Sequence, residues 1–283
     1  MNTRIVMLGT GTPNPDSRRM GPSLAIVCNQ KAYIVDFGAG IVRRCQQAYE
    51  AGIEALAPAN LERAFLTHLH SDHTIGYPDL MFTSLIAGRK RKLETHGPEG
   101  LAAMTRHIEL AFEKDREVRV CGLEPVNPQA YGTIAHEIPE PEANRLVPCY
   151  RDDNVEVEAF KVNHGEGWTA LGYRFVTPDR SIVVSGDTAP YAPLIDLWKG
   201  CDVLVHEVYS AKGFAARSAR WQKYHAHMHT SSTQLAGIAS QVKPKLLLLT
   251  HLLLWGTTED ELLREIHSGY SGEVVCAEDL GQY

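Results

Sequence analysis

The sequence predicts an α/β fold in which mixed sheets pack together with helices outside. Three observations carry this reading. Strand and helix patterns alternate along the chain. Each half holds several strands as well as helices. Several short apolar runs end in polar, chemistry-bearing residues.

The elements follow in order. Residues 4–8 and 32–36 read as strands, the second ending in Asp36-Phe37-Gly38. Residues 41–51 read as a helix that sets Ile41, Cys45, Ala48 and Tyr49 on one face. A short strand is expected at 61–66 and a helix at 98–114, with Pro98 near its first turn. Residues 124–153 are rich in Pro, Glu, Asn and Asp and read as an insertion or long loop rather than a linker between independent domains. Strand patterns return at 155–162, 171–176, 181–185 and 202–206. Residues 230–242 and 258–267 read as helices, and Thr258 and Glu261 have capping-box spacing for the second. Residues 245–250 form a buried-strand pattern that ends at His251. No short-period repeat interrupts the series, and residues 1–283 are read as a single domain.

Composition narrows the function classes. The 283 residues are 44% hydrophobic, ordinary for a globular protein, and can bury a sizeable core. The formal net charge is -6, whereas a chain that grips nucleic acid through phosphates should look basic. Nucleic acid is therefore not the expected partner. No apolar run approaches the ~18 residues of a membrane-spanning helix, and residues 5–8 are too few for a signal-peptide core. No membrane partner is expected, and a cytoplasmic location is. The six cysteines (28, 45, 121, 149, 201 and 276) include no CxxC pair and read as buried free thiols.

The centre of the functional case is Thr67-His68-Leu69-His70-Ser71-Asp72-His73. Three histidines and an aspartate fall within six residues, and imidazole nitrogen and carboxylate oxygen are good zinc ligands. The apolar run Ala64-Phe65-Leu66 delivers this cluster at a strand end, where ligands are held firmly yet remain reachable.

His68-Leu69-His70-Ser71-Asp72-His73 resembles the HxHxDH signature of the metallo-β-lactamase superfamily. Asn163-His164-Gly165 resembles that family's third histidine motif, Ser185-Gly186-Asp187-Thr188 its GDT, and Leu249-Thr250-His251 its final histidine motif. The similarity runs from Leu8-Gly9-Thr10-Gly11 to the end of the chain. It implies a four-layer αββα sandwich of the metallo-β-lactamase type. It also implies two divalent metal ions, one held by His68, His70 and His164, the other by Asp72, His73 and His251, with Asp187 between them. Ions about 3.5–4 Å apart can share a hydroxide, which is a nucleophile at neutral pH. Zinc suits the histidines best, and the carboxylates also admit manganese or iron.

Catalytic candidates are Asp72, His229 and Glu207. His206-Glu207 and His229 resemble motifs near the metals in the tRNase Z branch of the family. His229 is expected to protonate the leaving group, oriented by Glu207; the alternative is a structural role for both. The loop 209–228 carries Phe214, Trp221 and Tyr224 among Arg217, Arg220 and Lys223 and reads as a lid for an aromatic, anionic substrate, with helix packing as the alternative. Trp168 and Trp255 flank expected ligands. Gly9-Thr10-Gly11 reads as a tight turn, Asp36 as structural, and Arg89-Lys90-Arg91-Lys92 as a solvated turn.

The nearest resemblance is to tRNase Z and the arylsulfatase and phosphodiesterase relatives beside it. Bacterial tRNase Z carries a long tRNA-gripping arm between the third histidine and the GDT. Here that interval, His164 to Asp187, is 23 residues. The expectation is thus a dinuclear hydrolase of a small phosphodiester or an aryl phosphate or sulfate ester. A lactonase or other carboxylic ester hydrolase comes second, a tRNase Z-like RNA endonuclease third, and a non-catalytic metal-dependent binding protein last. The resemblance allows a homodimer, though no residue argues for one.

Overall fold

The computed structural model describes residues 3–283. The chain, expected to form a single domain, packs as two compact units. One comprises the residues up to Pro139 with Glu278–Tyr283, the other Glu140–Ala277.

In the first unit the order is β1 (Arg4–Gly9), β2 (Ser23–Cys28), β3 (Lys31–Val35), α1 (Ile41–Glu50), β4 (Arg63–Phe65), α2 (Ser71–Thr74), α3 (Tyr77–Ile86), β5 (Leu93–Gly97), α4 (Leu101–Ala111), α5 (Glu113–Arg119) and β6 (Thr133–Glu137). The strands form a six-stranded sheet in sequence order. β1, β2 and β3 pair antiparallel, and β3 to β6 pair parallel. The helical face of α1 buries Ile41, Val42, Cys45 and Ala48 against Leu56, Leu61, Leu80 and Met81. Tyr49, expected on that face, is exposed, and Val42 takes its place. Gly38 makes the turn after β3 possible, because a Cβ there would sit 2.2 Å from the Gly21 carbonyl carbon.

The second unit runs β7 (Val147–Arg151), β8 (Glu156–Lys161), β9 (Leu171–Val176), β10 (Ser181–Val184), α6 (Pro193–Trp198), β11 (Val203–Tyr209), α7 (Ala211–Ala215), α8 (Ala219–Met228), α9 (Ser232–Val242), β12 (Leu246–Leu253), α10 (Glu259–His267) and β13 (Val274–Cys276). Its seven-stranded sheet is ordered β13-β12-β11-β10-β9-β8-β7. β7 to β10 pair antiparallel and β10 to β13 parallel. Each unit thus follows an antiparallel meander with parallel strands. Trp198, Leu204, Leu235, Leu247 and Leu262 belong to one buried cluster. The Thr258–Glu261 capping box forms as expected.

Three expectations change. Segment 124–153 is not a loop throughout, since it holds β6 and β7, and the boundary between the units falls within it. Both are edge strands with little buried apolar surface, so no hydrophobic alternation marks them. Segment 209–228 is mostly helical, in α7 and α8. Arg89 is buried rather than solvated. Its guanidinium donates to the carbonyls of Leu80, Met81, Ala130 and Arg91 at 3.2, 3.2, 3.4 and 2.9 Å, while Lys90, Arg91 and Lys92 are exposed. Of the cysteines, Cys28, Cys45 and Cys201 are buried and Cys121 is exposed.

Candidate metal centre

In the first unit, the short parallel strand β4 ends at Phe65, and the chain turns through Thr67–His70 into α2. His68 and His73 are buried, and His70 and Asp72 are partly so. His68 Nε2 lies 2.9 Å from His70 Nδ1, and His73 Nε2 lies 3.5 Å from Asp72 Oδ2. Asp36 organises the group. One of its oxygens accepts from the Thr67 backbone N–H at 2.8 Å, and both accept from the Thr67 hydroxyl at 2.9 Å. Its Oδ2 also lies 2.8 Å from His73 Nδ1. A histidine bound this way through Nδ1 presents Nε2 as a lone-pair donor, the pattern of metal-ligating histidines. Asp36 holds this position in a left-handed backbone conformation, φ 62°.

In the second unit the expected residues gather at the carboxyl ends of strands, where α/β folds place their sites. His164 follows β8, Asp187 follows β10, Glu207 lies in β11 and His251 in β12. His164 Nδ1 donates to the Met228 carbonyl at 2.7 Å, which frees its Nε2 for a ligand. Trp168 stacks on His164 at 5.8 Å between ring centroids and donates to its carbonyl at 2.7 Å. His251 Nε2 lies 3.5 Å from Asp187 Oδ2. One donor atom each from His164, Asp187 and His229 fall within 4.8 Å of one another. This donor set of imidazoles and carboxylates fits divalent ions.

His251 is set by a β-bulge. Glu207 pairs with Thr250 and Val208 with Leu252, so His251 is the extra residue, at φ 47°. Bulges re-aim a side chain in this way beside functional sites. His229 Nδ1 lies 3.4 Å from Glu207 Oε2 and 3.9 Å from Asp187 Oδ2. Glu207 Oε1 accepts from the backbone N–H of Thr230 at 2.9 Å and of Thr188 at 3.3 Å. Burial and then the Asp187 charge push the Glu207 carboxyl well above the usual carboxylate range.

Sequence reasoning missed two contributors. Asp36, expected to be structural, also orients His73, and its place directly after β3 is the available signal. His225 had no motif. It sits buried at 4.4 Å from the Trp255 ring and 5.7 Å from the His229 ring.

Two sheets with their helices and histidine-rich strand ends define a metallo-hydrolase fold. Residues 34–252 match the model of the beta-lactamase superfamily domain. The chain belongs to the metallo-β-lactamase superfamily and is a metal-dependent hydrolase of ester bonds. A curated relative named ribonuclease Z, from Mycobacterium bovis, is 29% identical over 283 residues, spanning 98% of this chain and 96% of its own. The metallo-beta-lactamase fold protein YhfI from Bacillus subtilis superposes with a TM-score of 0.74 at 16% identity, covering 100% of both chains. The short form of human tRNase Z does so with a TM-score of 0.70 at 22% identity, over 99% of this chain and 98% of its own. A ribonuclease among the relatives runs against the expectation that nucleic acid is not a partner. Net charge is a weak guide there because it averages over the whole surface, while substrates are met locally.

Among the described residues, no helix is long and apolar enough to cross a membrane.

Proposed function

We propose that this hydrolase cleaves small phosphodiesters or aryl phosphate or sulfate esters with two divalent ions, zinc being the natural choice. His68, His70 and His164 would hold one ion and Asp72, His73 and His251 the other, with the Asp187 carboxylate as a further ligand. When bound, such ions would supply Lewis acidity that activates water near neutral pH and stabilises charge on the ester oxygens. Asp36 and the Met228 carbonyl fix the tautomers of His73 and His164. His229 delivers a proton to the leaving oxygen, and Glu207, anchored by two backbone N–H groups, orients its imidazole.

The observation that carries the small-ester reading is the His164–Asp187 interval. The β9–β10 hairpin fills most of it, which leaves no room for an arm. α8 suits an aromatic, anionic substrate, since Trp221 and Tyr224 are 47% and 43% exposed and the Arg217 guanidinium lies 5.3 Å from the Trp221 ring. A second reading, cleavage of RNA phosphodiesters, is favoured by the ribonuclease Z relative, which aligns over nearly its full length without help from a longer chain.

The test is turnover of bis(p-nitrophenyl) phosphate, p-nitrophenyl sulfate, a lactone and a precursor tRNA, with zinc or manganese added back after chelation. We expect the phosphodiester to be hydrolysed and chelation to abolish the activity. Turnover of the lactone alone would sink the proposal, and cleavage of the tRNA alone would establish the second reading.

A further inference from the structure

The first sheet carries a second group of metal-ligating side chains, apart from the ligands proposed above. Phe65 in β4, His96 in β5 and His136 in β6 occupy directly paired positions on three adjacent parallel strands. Their rings stack as a ladder. Phe65 and His96 centroids are 5.1 Å apart at 18° between planes, and His96 and His136 are 4.6 Å apart at 15°. Glu94 precedes His96 by two residues, so it lies on the same face of β5. One donor atom from each of Glu94, His96 and His136 falls within 4.8 Å of the others.

We propose that Glu94, His96 and His136 form a separate binding site for a divalent transition-metal ion, of the zinc class, that ties the edge strand β6 to β5. A two-histidine, one-carboxylate set matches the ligand types of zinc sites and leaves a fourth position for water. Metal–ligand distances of about 2.0–2.2 Å bring tetrahedral ligands roughly 3.4 Å apart, and a ring nitrogen's lone pair lies in the ring plane, so His136 must turn out of its stack on His96 to share an ion with it. His136 is exposed and can move, whereas His96 is held between two rings and is 5% exposed. Arg63 pairs with Glu94 in register across β4 and β5 and places a positive charge nearby, which limits affinity.

The site has a structural use. β6 is an edge strand whose residues are half-buried or exposed, with Ile134 43% exposed, so apolar burial holds it weakly. Backbone pairing with β5 and the Glu137 carboxylate, which accepts from the Gly100 and Ala102 N–H groups, already hold it, and an ion bridging β5 and β6 would add a further tie.

The experiment compares the full chain with His136→Ala and Glu94→Gln. Each is chelated, dialysed against about 10 μM free zinc and assayed for metal content, then heated with and without zinc. The wild-type chain should hold one more ion than His136→Ala, and zinc should raise its Tm further. Glu94→Gln should bind that ion at least about tenfold more weakly, and both variants should keep the ester hydrolysis of the parent. The comparison is a difference between variants, so it stands whatever the fate of the proposed catalytic ions. Equal metal content and equal zinc-induced Tm shifts in wild type and His136→Ala would overturn the proposal.

Discussion

His229 is the residue on which the proposed chemistry turns. Its imidazole is buried beside Glu207 and Asp187, and general acid catalysis by such a group contributes about 10²–10⁴ in rate. His229→Gln should lower kcat on a substrate with a poor leaving group by about that range while metal content stays unchanged. On p-nitrophenyl esters, whose leaving group needs little protonation, the loss should be smaller. Equal losses on both substrates would show that His229 is structural. Asp36 makes the companion case. Asp36→Asn keeps the shape but removes the charge facing His73 Nδ1, and metal affinity measured by competition with a chelator should fall about 10–100-fold. His225 gives a pH signature. Burial first, then His229 and Arg217, hold it down from 6.5 to about 4. Between these values the unfolded chain binds the proton and the folded chain does not, so stability rises with pH across about pH 4–6.5 and falls on acidification. Denaturant midpoints measured through that window should rise less steeply in His225→Gln.

Elements position these residues through their ends and irregularities. The bulge that turns out His251, the left-handed Asp36 at the end of β3 and the close crossing at Gly38 each depend on backbone geometry that regular strands lack. Gly38→Ala would place its Cβ 2.2–2.5 Å from the backbone of Gly21 and Pro22. It should cost more than about 2 kcal/mol in chemical denaturation, because backbone on that side cannot yield as a side chain would. α10 behaves more simply. Thr258 accepts from the Glu261 N–H and Glu261 reaches back to the Thr258 N–H, so Thr258→Ala should cost about 1 kcal/mol.

At the scale of the whole molecule, the chain leaves the first unit at Pro139 and returns to it at Glu278. The returning segment is well tied. Asp279 accepts from Thr10 N–H, the Thr10 hydroxyl and Met20 N–H at 2.9, 2.7 and 2.7 Å, and it pairs with Arg44 at 3.1 Å. Ile5 and Tyr283 exchange backbone hydrogen bonds at 2.9 Å. Deleting residues 278–283 strips these partners from the start of the chain, and the Tm should drop by several degrees, as expected for a loss of a few kcal/mol.

By itself the sequence determined the alternation of strands and helices, the α10 cap, the strand-end placement of the ligand motifs and the family. Those features are local: apolar periodicity, a cap four residues long, a motif within six. It could not show β6 and β7, whose edge positions need no hydrophobic alternation, nor the burial of Arg89, whose carbonyl partners reach 41 residues along the chain. Tertiary structure alone decided that Asp36 orients His73 from 37 residues away and that a bulge opposite Glu207 aims His251. It also decided that His96 and His136, ordinary in the sequence, face each other across two strands. Pairing register and burial depend on which distant segments meet, and a single chain's local pattern carries no record of that.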